Sequence, residues 1–175
     1  MKFYAANKQD VIAYSLLVVF FLIIIYFNTY YLPRKRERDL VNRLHPAIRG
    51  RAKRFLKAIE REGITYKVYS TLRTFQEQAQ LYAQGRTAPG NIVTNARPGQ
   101  SYHNYGLAID ILPTNWADID RVAKIGKSYG FEWGGDWPAF KDYPHYQMPM
   151  GHSWSELLAN YENGRTRLDG YVKIA

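Results

Sequence analysis

The chain has 175 residues, 24 Lys/Arg against 15 Asp/Glu, and a formal charge of +9, enough for one ordinary domain with a core and a short appendage. With no cysteine, a disulfide framework, a thiolate metal site and a cysteine nucleophile are all excluded. Residues 1–54 hold 11 basic and 3 acidic side chains, net +8, whereas residues 55–175 are nearly balanced at +1. A nucleic-acid binder spreads its basic groups over a face of the folded domain, so no nucleic-acid partner is expected.

Residues 11–27 carry no charge and only Tyr14, Ser15 and Tyr26 as polar side chains. Seventeen such residues are at the short end of a bilayer span, and Tyr26, Tyr30 and Tyr31 suit an interfacial aromatic belt. A buried core helix would need covering on every face. A cleavable signal peptide needs a small-x-small site, which Asn28-Thr29-Tyr30-Tyr31-Leu32-Pro33 lacks. The reading is an uncleaved single-pass anchor over residues 1–32, followed by a basic juxtamembrane linker, 33–45, that begins at Pro33 or starts a helix there. Lys2 and Lys8 precede the apolar run, and Arg34, Lys35, Arg36 and Arg38 follow it. That bias alone places the later residues in the cytoplasm. The same basic run would also suit anionic lipid headgroups.

Beyond the linker, Ile48, Ala52, Phe55, Leu56 and Ile59 fall at helical spacing and predict a helix over 46–62, ended by Gly63. Residues 66–72 alternate enough for a strand. Thr74-Phe75-Gln76-Glu77 is a capping-box pattern opening a second helix toward Gly85. Residues 86–101, rich in Gly, Pro, Asn and Thr, read as a long loop, and loops of that length are usually functional or disordered. A buried strand over 107–112, a helix over 118–129, a strand over 145–148 and a capped helix from Ser153 to about Tyr161 complete the pattern. The expected fold is α+β, a small antiparallel sheet with packed helices carrying one metal site, plus the N-terminal transmembrane helix.

The chemistry concentrates in Ser101-Tyr102-His103-Asn104-Tyr105-Gly106-Leu107-Ala108-Ile109-Asp110 and in Asp142-Tyr143-Pro144-His145. Together they supply two imidazoles and a carboxylate as possible ligands, with a spare carboxylate three residues before the second imidazole. A catalytic zinc takes three protein ligands, keeps a position open for water and needs a nearby base. His103 and Asp110 are seven apart, too far for one helical face but right for a loop entering a strand, with His145 from a neighbouring strand. Gly106 between them is expected to let the backbone approach the metal closely.

Ser101-x-His103-x-x-Gly106-x-Ala108-x-Asp110 followed by Asp142-x-x-His145 resembles the signature of the zinc peptidases that cut peptidoglycan peptides, the M15 family. Thr71-Leu72-Arg73-Thr74, Gln84-Gly85-Arg86-Thr87, Val93-Thr94-Asn95-Ala96 and Gly134-Gly135-Asp136-Trp137 extend the likeness over residues 70–147, most toward its L-alanyl-D-glutamate endopeptidases. The resemblance implies one Zn2+ per chain on His103, Asp110 and His145, Asp142 as general base, and Arg73 beside the scissile carbonyl. Some relatives carry Glu where this chain has Asp142, and the shorter side chain demands a closer backbone. Ser101, Tyr102 and Trp137 are expected to touch substrate, the peptidoglycan stem peptide. Trp133 walls the cleft or belongs to the core, and Asp136 supports a ligating imidazole or forms a turn. His45 is expected in a loop and His152 facing solvent. The peptidase domain is placed at 46–150, with 151–175 as a C-terminal extension. Peptidoglycan lies outside the cytoplasmic membrane, so the implied substrate puts the domain on the wall side, against the charge bias.

Overall fold

The computed structural model describes residues 8–174, of which 8–15 by backbone alone. Residues 1–7, with Lys2, and Ala175 lie outside the described residues. The chain divides into two compact units, residues 1–38 and 39–175.

The first unit is helical. α1 (Lys8–Tyr26) widens into a π-helical stretch, Phe27–Tyr31, and continues as α2 (Leu32–Asn42). The widening falls just ahead of Pro33, which has no N–H to donate back along the helix and whose ring crowds the preceding turn. Within the widened stretch, Asn28 Nδ2 and Thr29 Oγ1 donate to the carbonyls four residues back, those of Ile24 and Ile25. Pro33 therefore does not open a linker: the helix runs through it. Leu16–Asn42 is long and apolar enough to cross a membrane, and none of its apolar window is buried.

The second unit packs helices on one face of a four-stranded antiparallel sheet, the α+β class expected. α3 (Pro46–Arg61) lays Ile48, Ala52, Phe55, Leu56 and Ile59 against the sheet, as their spacing predicted. The sheet runs β1 (Tyr66–Ser70), β2 (Ala108–Pro113), β4 (His145–Gln147), β3 (Glu132–Trp133) in spatial order. α4 (Phe75–Ala83) starts at the Thr74–Glu77 capping box, and α5 (Ile119–Ser128) buries Ile119, Val122 and Ala123. Phe55 meets Tyr146 and Phe131 at ring separations of 5.2 and 5.5 Å in the centre of the core.

Residues read from sequence as linker and as extension enter this core. Val41 and Leu44 precede α3, while Leu157 of α6 (Trp154–Glu162) and Val172 lie in the tail, and all four are buried. His45 is no loop residue. It caps α3, its Nδ1 accepting from Ala47 N–H at 3.2 Å, and its Nε2 bonds to the Val172 carbonyl at 3.0 Å. Burial pushes its pKa down, outweighing the Val172 bond. Gly106, with φ 68°, also serves this junction rather than a metal: a Cβ there would come within 2.8 Å of the His45 nitrogen, which donates to the Gly106 carbonyl at 2.9 Å.

Candidate metal centre

Antiparallel pairing builds the centre. Asp110 of β2 stands opposite His145 of β4, and their side chains rise from the face of the sheet away from α3. His103 comes from a 3₁₀ turn, Tyr102–Tyr105, capped by Ser101, whose Oγ accepts from the His103 N–H at 3.3 Å. One ligand atom from each of the three residues lies within 4.8 Å of the others. His103 Nε2 is 3.0 Å from Asp110 Oδ1 and 3.2 Å from His145 Nδ1, and His145 Nδ1 is 3.3 Å from Asp110 Oδ1. Ligands about 2.0–2.1 Å from a tetrahedral ion stand about 3.3 Å apart, so the triangle has the size a small ion requires.

The hydrogen bonds around the triangle say which atoms hold protons. His103 Nδ1 lies 2.6 Å from the Thr71 carbonyl, which only accepts, so that nitrogen carries the hydrogen and Nε2 keeps its lone pair. His145 Nε2 lies 3.0 Å from Gln147 Oε1, leaving Nδ1 to face the centre. Two imidazole lone pairs and a carboxylate oxygen then meet at one point, an arrangement that demands a positive charge among them. Burial disfavours charge on His145, but the bond and charge of Asp110, the Gln147 bond and the charge of Asp142 together outweigh it and raise its pKa. Burial likewise pushes the Asp110 carboxyl up, and His103 and His145 together hold it far below the usual carboxylate range. The donor set, two nitrogens and one oxygen with no sulfur, fits a catalytic ion with an open position.

The triangle floors a cleft of about 590 Å³ also lined by Arg73, Tyr102, Trp137 and Asp142. Gly134 sets the position of Asp142. Its carbonyl accepts from the Asp142 N–H at 3.1 Å, and a Cβ on it would stand 2.5 Å from the Asp142 carbonyl oxygen. Partial burial raises the Asp142 pKa. The Arg73 guanidinium is held by Gln78 Oε1 at 2.9 Å and Ser70 Oγ at 3.2 Å, and its NH2 is 3.7 Å from Asp110 Oδ2. A salt link to an exposed partner would leave it mobile, whereas three fixed neighbours aim it along the cleft.

Trp137 stacks at a tilt 5.1 Å from the His145 ring, and Tyr102 donates its hydroxyl to the His152 carbonyl at 2.9 Å. Trp133 is core, its indole N–H bonded to the Tyr143 carbonyl at 2.8 Å. Asp136 pairs with Lys127 at 2.6 Å on the surface, so of its two readings the turn holds. His152 is half-buried rather than solvent-facing. The loop at 86–101 forms a wall of the cleft. Arg86 stitches it by donating to the carbonyls of Tyr82 and Thr94 and to Asn95 Oδ1, while Gln78 holds the Ala96 carbonyl at 2.8 Å. Sequence reasoning missed Gln78, Glu132 and Gln147. Only Gln147 carried a signal, since it lies two residues past His145 and so on the same strand face.

A family model described as D-alanyl-D-alanine carboxypeptidase, of the M15 peptidases, matches residues 94–148. The peptidoglycan L-alanyl-D-glutamate endopeptidase CwlK of Bacillus subtilis (strain 168) is 45% identical over 122 residues, covering 60% of this chain and 73% of that protein. The L-alanyl-D-glutamate peptidase of Listeria phage A118 is 33% identical over 131 residues, covering 69% of this chain but 43% of that protein. Among solved structures, the Serratia marcescens L-Ala D-Glu endopeptidase ChiX aligns over 65% of this chain and 86% of that chain, at 21% identity and a TM-score of 0.46. The chain belongs to the M15 family of peptidases, hydrolases of peptide bonds.

Proposed function

We propose that this protein is a membrane-anchored zinc endopeptidase that hydrolyses the peptidoglycan stem peptide between L-alanine and D-glutamate. The observation that carries the reading is the triangle of His103, Asp110 and His145, closed around one point at the floor of a cleft that also holds Asp142 and Arg73. The 45% identity to CwlK supports the choice of bond.

His103 Nε2, His145 Nδ1 and one Asp110 oxygen would hold the ion. When bound, zinc acidifies its water and polarises a carbonyl. Asp142 takes the proton of the attacking water and delivers it to the leaving nitrogen as the C–N bond breaks, and its raised pKa suits a group that must both accept and return a proton. Arg73, fixed by Gln78 and Ser70, offers its N–H fork to the carbonyl oxygen as negative charge develops there. Ser101 holds the turn that carries His103, while Tyr102 and Trp137 line the path of the substrate.

The test is mass spectrometry of purified muropeptides with and without chelator. The expected products carry a new free amine on D-glutamate, vanish with chelator and return with zinc. The family model's description as a carboxypeptidase favours a second reading, a D-Ala-D-Ala carboxypeptidase or dipeptidase, which release of terminal D-alanine alone would establish. One equivalent of zinc without cleavage of any stem peptide would instead mean a non-catalytic wall-binding module. The anchor reading rests on the uncovered apolar helix, and the location of the proposed substrate, against the charge bias, puts the domain on the wall side of the cytoplasmic membrane. Protease digestion of the domain in intact spheroplasts is the expected result, and protection until lysis would overturn it.

A further inference from the structure

One polar chain beside the centre has no part in the chemistry above. Glu132 and Gln147 are cross-strand partners of β3 and β4, and Gln147 shares the strand face of His145 two residues away. Gln147 Nε2 donates to Glu132 Oε2 at 2.8 Å, and Gln147 Oε1 lies 3.0 Å from His145 Nε2. Gln147 is nearly buried, at 9% exposure, whereas Glu132 sits at the open edge of the sheet.

An amide can present either end to an imidazole. Turned one way its oxygen accepts from an imidazole N–H; turned the other way its NH2 donates to an imidazole lone pair. A carboxylate only accepts, so Glu132 takes the NH2 end and turns the oxygen toward His145. That oxygen requires hydrogen on Nε2. We infer that Glu132, acting through Gln147, is a positioning residue that fixes which nitrogen His145 offers to the metal centre, Nδ1 and no other. The inference rests on reading His103, Asp110 and His145 as metal ligands.

Without Glu132, Gln147 is free to rotate its NH2 toward the ring, drawing the lone pair to Nε2 and the hydrogen to Nδ1, where it would block the centre. His103 needs no such device, since the Thr71 carbonyl is backbone and cannot turn over. The two imidazoles thus present opposite nitrogens to one point, one ring fixed by the main chain and the other by an edge-strand side chain two bonds removed. Partners of this kind typically alter metal affinity by about 10- to 100-fold.

The experiment compares the full chain with Glu132→Gln, Gln147→Leu and the double variant Glu132→Gln/Gln147→Glu. The double variant restores an acceptor at 147 facing a donor at 132. Zinc affinity is read by competition with a chromophoric chelator, and the Nε2–H proton of His145 by NMR of 15N-histidine-labelled, metal-free protein. Expected are a 10- to 100-fold loss of zinc affinity and a broadened or lost Nε2–H signal in the two single variants, with both recovered in the exchanged pair. An unchanged signal and unchanged affinity in Glu132→Gln would overturn the inference, as would failure of the exchanged pair to recover while its fold is intact. If the unsubstituted chain binds no zinc yet the NMR pattern appears, the control of His145 stands and the zinc reading fails.

Discussion

Two buried histidine neighbourhoods in this domain use the same side chain to opposite ends. At the α3 cap, both nitrogens of His45 are occupied: Nδ1 accepts from Ala47 and Nε2 donates to Val172. At the centre, His103 and His145 each have one nitrogen committed outward, to Thr71 and to Gln147, and one lone pair left facing Asp110. Burial does not distinguish the three, since His45, His103 and His145 are exposed by only 1%, 2% and 6%. What separates a structural histidine from a ligand is the lone pair left over once its neighbours are satisfied.

The sharpest break of that comparison removes the proposed ligands. His103→Ala, Asp110→Ala and His145→Ala should each lose zinc and abolish peptidase activity, while His45→Ala keeps stoichiometric zinc. Metal analysis of the four proteins decides it, and full zinc in all three ligand variants would dissolve the distinction. Next in size, Asp142→Asn should keep zinc and fold but lower kcat by about two orders of magnitude or more. Near-normal turnover would move the base elsewhere. Gly134→Ala should displace Asp142 and lower kcat by about tenfold to a hundredfold, with zinc content unchanged. A drop in zinc instead would mean that the 134–142 segment braces His145 more than the base.

The remaining two predictions concern the structural member of the pair. His45→Ala loses a helix cap and a buried hydrogen bond, which should cost about 2–3 kcal/mol in urea unfolding. The smallest effect is its pH dependence. Because the folded pKa of His45 lies below its unfolded value near 6.5, the unfolded chain binds the extra proton on acidification. The contribution of His45 is therefore complete above about pH 6.5 and is lost as pH falls toward the depressed folded pKa. Arg49 and Arg167 deepen the shift and Asp169 opposes it. The stability gap between the unsubstituted chain and His45→Ala should narrow in acid, and a gap constant with pH would show that His45 is not held neutral.

Much of this was legible in the sequence because it is local. The capping boxes at Thr74 and Ser153 need only four residues each, and the apolar periodicity of α3 survives in the fold residue for residue. The cluster of His103, Asp110 and His145 was visible as two dense motifs, although only the pairing of β2 with β4 brings Asp110 opposite His145. What stayed hidden depends on long-range closure. Nothing near His45 announces Val172, 127 residues away, so a buried cap read as a loop residue. Gly106 was misread for the same reason: its neighbour is His45, brought in from the start of α3. Gln147 and Glu132 meet only through strand register, which composition does not encode.

The placement of Val172 and Leu157 in the core has a consequence for how the protein is made. A chain synthesised from its N-terminus delivers His103, Asp110 and His145 before Leu157 and Val172, which close the hydrophobic interior. Until Val172 arrives, His45 Nε2 has no carbonyl to bond, and the junction with Gly106, four residues from Asp110, stays open on one side. Until those residues are in place, the side chains of His103, Asp110 and His145 stand on a scaffold whose interior is not yet closed.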